Sequence, residues 1–226
     1  MTDSKGARAM RHPIWDSHLA PKISTLERQK LVVLRKTIRP DPLQFVITAI
    51  ALEFIPLKTR VQTFNFIRRA QVAFDEYALA RGAYRKFFSD RNPVFYLDAL
   101  HHFEVCLASA HQGHEALFEM TGGKFFDSGG QGRAELNWRM NRLYNTAKHA
   151  SDFIKRASFK GDMLTAWISN DGLETRNEKM AFGELAEILD DMCLAASILA
   201  KSYIWRKVPV PNFWDKPRRK RVSVKQ

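Results

Sequence analysis

The sequence predicts an all-α protein, an antiparallel four-to-five-helix bundle with a small β-hairpin before the last long helix. Three observations carry that expectation. Apolar residues recur at steps of three and four through four long windows, the spacing that lines one side of a helix. Breaks containing Pro, Gly, Asn and Ser separate the windows, so that successive helices fold back on one another. Between the third and fourth windows, residues 163 to 168 and 173 to 176 read as short strands around Ser169-Asn170-Asp171-Gly172, a strong turn sequence.

Residues 1 to 40 mix Pro, Ser, Lys and Arg without sustained periodicity. They read as a basic, partly disordered arm, with a short helix or strand at 26 to 34. Asp41-Pro42 is a helix start, an acidic cap followed by proline at the first helical position. Val46, Ile47, Thr48 and Ile50 lean instead towards a strand; a short helix is the expectation.

The first long window, 57 to 88, brings Val61, Phe64, Ile67, Ala70, Phe74, Tyr77, Tyr84 and Phe88 to one side. Asn92-Pro93 ends it, because the residue before proline is pushed out of helical geometry. The second window, from about 94 to 120, has Tyr96, Ala99, Phe103, Cys106, Ala110, Leu117 and Met120 as its core side. Five of the eleven glycines then fall between 121 and 132. A glycine-rich segment can cradle a phosphate, but that mechanism calls for a preceding strand. A helix precedes this one, so an inter-helix connection is expected. The fourth window runs from about 182 to 205, with Leu185, Leu189, Met192, Ala196, Leu199 and Tyr203 inward, until Pro209 and Pro211 stop it. One bundle domain over 41 to 208 is expected, followed by a basic tail over 209 to 226.

The net charge of +12 is concentrated at the ends. Residues 1 to 40 hold nine basic and three acidic groups, residues 215 to 226 hold six and one, and the body between is nearly balanced. Basic ends on a neutral body suit salt-sensitive contact with a polyanion such as RNA, or act as solubilising tails. In the tail, Lys216, Arg218, Arg219, Lys220 and Arg221 are the phosphate-binding candidates. The two cysteines, Cys106 and Cys193, fall in helical windows as buried thiols, which points to a reducing compartment. No apolar leader opens the sequence, and the run from 45 to 52 is far short of the ~20 apolar residues a bilayer demands. A cytoplasmic protein with no membrane partner is expected.

The third window, 133 to 157, carries the densest chemistry. Leu136, Met140, Leu143, Ala147, Ala150, Ile154 and Ala157 form an apolar back. At 100° per residue, Trp138, Arg142, Asn145, His149, Asp152 and Arg156 form an opposing polar front. Arg142 and His149 lie two turns apart, so both side chains can reach one phosphodiester. A histidine there serves as general acid or base towards a ribose hydroxyl, and an arginine offsets charge on the phosphate, with no metal required. Asn145 lies between them, Asp152 is placed to orient the imidazole, and Lys148 supports. Trp138 is a large aromatic on a polar face, where a partner or a stacked base is a better neighbour than water. With Arg139 and Arg156 it completes the binding set. A solvated helix face remains the alternative.

This stretch resembles the HEPN superfamily. Arg142-x6-His149 on the penultimate long helix is similar to its Arg-x4-6-His motif, and Asn145-Thr146-Ala147-Lys148-His149 is similar to its Asn-x-x-Lys-His variants. The resemblance covers about 94 to 205. It implies a helical bundle, a homodimer whose facing motifs form a metal-independent ribonuclease site, and catalytic roles for Arg142 and His149 with Asn145 beside them. RNA is the implied partner. A non-catalytic module docking a protein through the Trp138/Arg142/His149 face is the other reading.

The second window is rich in histidine: Asp98, His101, His102, Glu104, His111, His114 and Glu115. Di-iron bundles use Glu-x-x-His on two helices, and that pattern is absent from every helical window here. Neither a metal site nor a cofactor is expected. The stripe reads as a surface or groove, or as a set in which His101, Glu104 or His111 faces Arg142 and His149.

Overall fold

The computed structural model describes residues 20, 23–27, 31, 34, 39–50, 56–121, 133–148 and 166–201. Five helices and a three-stranded sheet occupy them: α1 (Pro42–Ile50), α2 (Leu57–Asp90), α3 (Pro93–Thr121), α4 (Arg133–Lys148), β1 (Trp167–Ile168), β2 (Gly172–Glu174), β3 (Lys179–Ala181) and α5 (Phe182–Ala200). This is the expected bundle with its small β excursion before the last helix.

The α2–α3 hairpin is the frame. On α2, Thr63, Phe66, Ala70, Ala73, Tyr77, Ala80, Tyr84 and Phe87 are all buried and follow one another at alternating steps of three and four. On α3 the buried Tyr96, Ala99, Phe103, Cys106, Ala110, Gly113 and Leu117 do the same. That alternation lines the α2–α3 seam, and Ile67 and Ala83 on α2, with Leu100, Leu107 and Ala116 on α3, widen the buried face beyond it. The seam lies to one side of the stripe read from the sequence. Val61 is 48% exposed, while Phe64 and Phe88 are only partly buried at its edge. Small residues at Ala73 and Ala80 take the centre because they allow close helix approach, a preference that ranking residues by apolarity overlooks.

The helix starts are specified locally. The Asp41 carboxylate accepts from the Leu43 and Gln44 backbone N–H groups at 2.9 and 3.3 Å, with Pro42 at the first helical position, so capping prevails over the strand preference of Val46 and Ile47. Arg91 closes α2 in the left-handed conformation, its N–H donating to Phe87 O at 2.7 Å. The Asn92 side chain then accepts the Val94 N–H at 3.0 Å and opens α3.

The arm is partly built into the bundle. Ala20, Ile23, Leu26 and Leu31 are buried members of the core, and a 3-10 turn spans Ile23–Thr25; most of the element expected at 26 to 34 lies outside the described residues. Tyr84 Oη donates to Glu27 O at 3.3 Å and Arg91 donates to Leu26 O at 3.4 Å, so the end of the α2–α3 hairpin holds this segment down.

The hairpin read from the sequence is a three-stranded antiparallel meander, in the order β1-β2-β3. Ser169 closes the first turn: its N–H donates to Gly172 O at 2.8 Å and its hydroxyl accepts from the Gly172 N–H at 3.2 Å. The third strand escaped the sequence reading because Lys179-Met180-Ala181 is short and runs directly into α5. Ile168, Leu173 and Met180 lie opposite one another across the sheet and are buried.

Tyr96 locks this sheet to the bundle. Its hydroxyl accepts the Ile168 N–H at 2.9 Å and donates to Ile168 O at 3.4 Å, with the ring fully buried. Tyr96→Phe leaves both backbone groups buried without this partner, so we expect a loss of about 2 kcal/mol. Urea denaturation checks it, and an unchanged midpoint would show that water replaces the hydroxyl.

The cysteines sit in the core as thiols. Burial pushes the Cys193 thiol up to about 12, with Asp190 and Asp75 adding to the shift, and raises Cys106 further. Both are therefore unreactive near neutral pH. No helix among the described residues is long and apolar enough to cross a membrane.

Candidate functional site

The polar face of α4 separates into three groups, each tied to a different neighbour. The apolar back is in place, with Met140 and Leu143 fully buried and Leu136 packed against the core. Ala150, Ile154 and Ala157 lie outside the described residues.

The first group fastens α4 to α5. Arg139 Nη2 meets Glu184 Oε1 at 2.7 Å and Nη1 meets Glu184 Oε2 at 3.2 Å, while Nη1 also reaches Lys179 O at 3.3 Å. Glu184 Oε2 accepts the Ala181 N–H at 3.0 Å at the start of α5. Burial pushes the Glu184 carboxyl up, but the Arg139 and Ala181 hydrogen bonds outweigh it, and the group lies below its ordinary range. Both terminal nitrogens of Arg139 are thus engaged inside the chain.

The second group centres on Arg142. Its Nε lies 2.6 Å from Glu178 Oε1, and its guanidinium carbon lies 4.5 Å from the centroid of the Trp138 ring, one turn earlier on α4. The Glu178 side chain is only 10% exposed, whereas that of Arg142 is 43% exposed. Glu178 ends the turn between β2 and β3. There its carbonyl accepts the Thr175 N–H at 2.8 Å, and its own N–H donates to the Thr175 hydroxyl at 3.1 Å. Trp138 therefore does not stand bare on the surface; a cation covers one face of its ring.

The third group bridges α4 and α3. Asn141 Oδ1 lies 2.9 Å from His111 Nε2 and accepts from Asn145 Nδ2 at 2.8 Å. An amide oxygen only accepts, so the pairing assigns the His111 proton to Nε2. Tyr144 stacks on the His111 ring with centroids 4.5 Å apart, Lys148 Nζ sits 5.6 Å over the Tyr144 ring, and Glu115 Oε2 is 3.6 Å from His111 Nδ1. Of the α3 residues suggested to face the motif helix, His111 does so. His101 lies beside His102, which pairs with Glu76 at 2.7 Å, and His114 Nδ1 is bonded to Ala110 O at 2.8 Å. Among the described residues no cluster of three or more His, Cys, Asp or Glu could hold a metal ion.

His111 is held below the ordinary imidazole range. Burial is the main cause, opposed by the Asn141 hydrogen bond and Glu115 and reinforced by Lys148. Below about pH 6.5 the unfolded chain takes up a proton that native His111 does not. The resulting stabilisation is complete above that pH and shrinks as pH falls towards the native value. His111→Gln is expected to flatten the loss of stability between about pH 7 and pH 5. Urea midpoints across that interval test this, and an unaltered slope would place the titration elsewhere.

The structure thus brings Trp138 and Arg142 together, links Asn145 through Asn141 to His111 on α3, sets Lys148 on Tyr144 and turns Arg139 inward. His149, Asp152, Arg156, Lys216, Arg218, Arg219, Lys220 and Arg221 lie outside the described residues. Glu178, Asn141 and Tyr144 were absent from the sequence-derived set. Asn141 and Tyr144 carry a local signal, one turn before and one residue before Asn145; Glu178 carries none, because only the meander places it beside α4. A separate cleft of about 310 Å³ is lined by Leu26, Trp167, Ser169, Asp171, Glu174 and Lys179. The Lys179 ammonium pairs there with Asp171 at 2.7 Å and Glu174 at 2.9 Å, which leaves one carboxylate charge in excess. No family model, no curated protein and no solved structure matches the chain.

Proposed function

We propose that this chain is a HEPN-like module that binds RNA through the outer face of α4, and that Arg142 and His149 act there on a phosphodiester without a metal. The observation supporting this reading is the state of Arg142. Its guanidinium is held on one edge by Glu178 and on one face by Trp138, yet the side chain remains 43% exposed. A fixed, half-open guanidinium suits a phosphate, which arginine binds through its planar fork. The excess positive charge at the ends of the chain adds long-range attraction.

The test is direct. With a single-stranded oligoribonucleotide, Arg142→Gln is expected to weaken binding by about 5-fold and to reduce the salt slope by roughly 0.7, one phosphate contact on a single strand. If the chain cleaves RNA, His149→Ala abolishes cleavage and EDTA leaves it intact. Cleavage that survives His149→Ala, or is lost on chelation, excludes the mechanism. Binding that ignores salt favours the protein-docking reading of the same face.

A further inference from the structure

We infer that Glu178 is the positioning residue for Arg142 and that the β2–β3 turn is what carries it to the α4 face; this rests on the RNA reading above. An exposed arginine samples many rotamers, and holding it for one phosphate costs entropy that a preset geometry avoids. Here two contacts set it. The Glu178 carboxylate meets Nε at 2.6 Å, and the Trp138 ring lies 4.5 Å from the guanidinium carbon. Among the described residues no hydrogen bond engages the terminal nitrogens of Arg142, the pair that a phosphate would bridge.

Arg139 shows the opposite arrangement on the same helix. Its terminal nitrogens are both taken by Glu184, the geometry of an arginine used to fasten two elements. Glu178 is itself well fixed: its turn is closed at both backbone groups by Thr175, and the next residue, Lys179, pairs with Glu174 in the sheet. The carboxylate is nearly buried while its arginine is not, as expected when the acid is scaffold and the base is the working group. The solvent-exposed arginine limits what the contact adds to stability, and the nearly buried carboxylate serves to hold the fork in one orientation.

Fluorescence anisotropy with a labelled single-stranded oligoribonucleotide tests the inference in wild type, Glu178→Ala, Glu178→Gln, Arg142→Gln and the Arg142→Gln/Glu178→Ala double variant. Thermal midpoints are measured alongside. Glu178→Ala is expected to weaken binding about as much as Arg142→Gln, roughly 5-fold, with a near-native midpoint. Glu178→Gln keeps an acceptor oxygen for Nε and retains most of the affinity, and the double variant binds no more weakly than Arg142→Gln alone. Glu178→Ala binding as tightly as wild type, or tighter, while Arg142→Gln weakens binding, overturns the positioning role and leaves the RNA reading standing. An Arg142→Gln protein that binds like wild type sinks the RNA reading of this face, and the inference with it.

Discussion

Gly172→Ala is expected to lower the stability of the whole domain by about 3 kcal/mol or more, the upper end of what overpacking costs. A Cβ at Gly172 would lie 1.9 Å from Met180 O, 2.7 Å from Met180 C and 2.8 Å from Ala181 Cα. All three atoms are backbone, so no side-chain rotation relieves the overlap and the strands themselves must separate. Gly172 pairs with Ala181, and its neighbours Leu173 and Met180 pair as buried residues beneath the sheet. Moving β3 therefore opens the core as well as the ladder. It also displaces Glu178, which precedes β3 by one residue, and Lys179 O, which Arg139 grips. The variant is thus expected to bind RNA like Glu178→Ala under conditions where it still folds. Urea denaturation gives the stability, and a midpoint within a few tenths of wild type would show that the sheet tolerates a wider spacing.

How far this arrangement could be read from the sequence depended on whether its cause was local. The capped start of α1, the break at Asn92-Pro93 and the Ser169–Gly172 turn are each set by a few adjacent residues, and each was legible. The helical windows were legible too, because a repeat near 3.6 residues persists for many turns. The side of α2 that faces inward was less so. Phe64, Phe74 and Phe88 outweigh Ala73 and Ala80 in any apolar ranking, yet the alanines hold the seam because α3 lies close. Strand β3, three residues long, gave too little pattern to detect.

The site divides in the same way. Trp138, Arg142 and Asn145 were placed on one polar face by helix geometry alone, and the structure keeps Trp138 and Arg142 in contact. What they touch beyond α4 was not legible. Glu178 lies 36 positions from Arg142 and Glu184 lies 45 from Arg139, and both pairings exist only because β3 packs beside α4 and runs directly into α5. The sequence assigns Arg142 to catalysis and Arg139 to binding, whereas the structure spends Arg139 on fastening elements and leaves Arg142 half open. Spacing alone would not have located the face either: Arg11 and His18 repeat the same interval outside any helical window.

Phe103→Ala is expected to cost about 4 kcal/mol, within the range for a buried phenylalanine emptied to alanine. The ring is fully buried. It meets Tyr77 edge-on at 6.1 Å across the seam and Phe182 at 5.3 Å, where α5 begins. Removing it takes contacts from three helices at once, and the surrounding aromatics are themselves locked. Tyr77 is 1% exposed, and Phe182 is held by Tyr84 on its other side as well as by its place at the end of β3. Collapse into the void is therefore limited, which keeps the cost well inside that range. Val61→Ala is the control, since the sequence assigns Val61 to the same inward stripe whereas the structure leaves it 48% exposed. That change is expected to shift stability by no more than about 0.5 kcal/mol. Comparable losses from the two substitutions would mean that the α2–α3 seam runs through Val61, Phe64 and Phe74, and that the alternating three-and-four register drawn through Ala73, Tyr77 and Ala80 is misplaced.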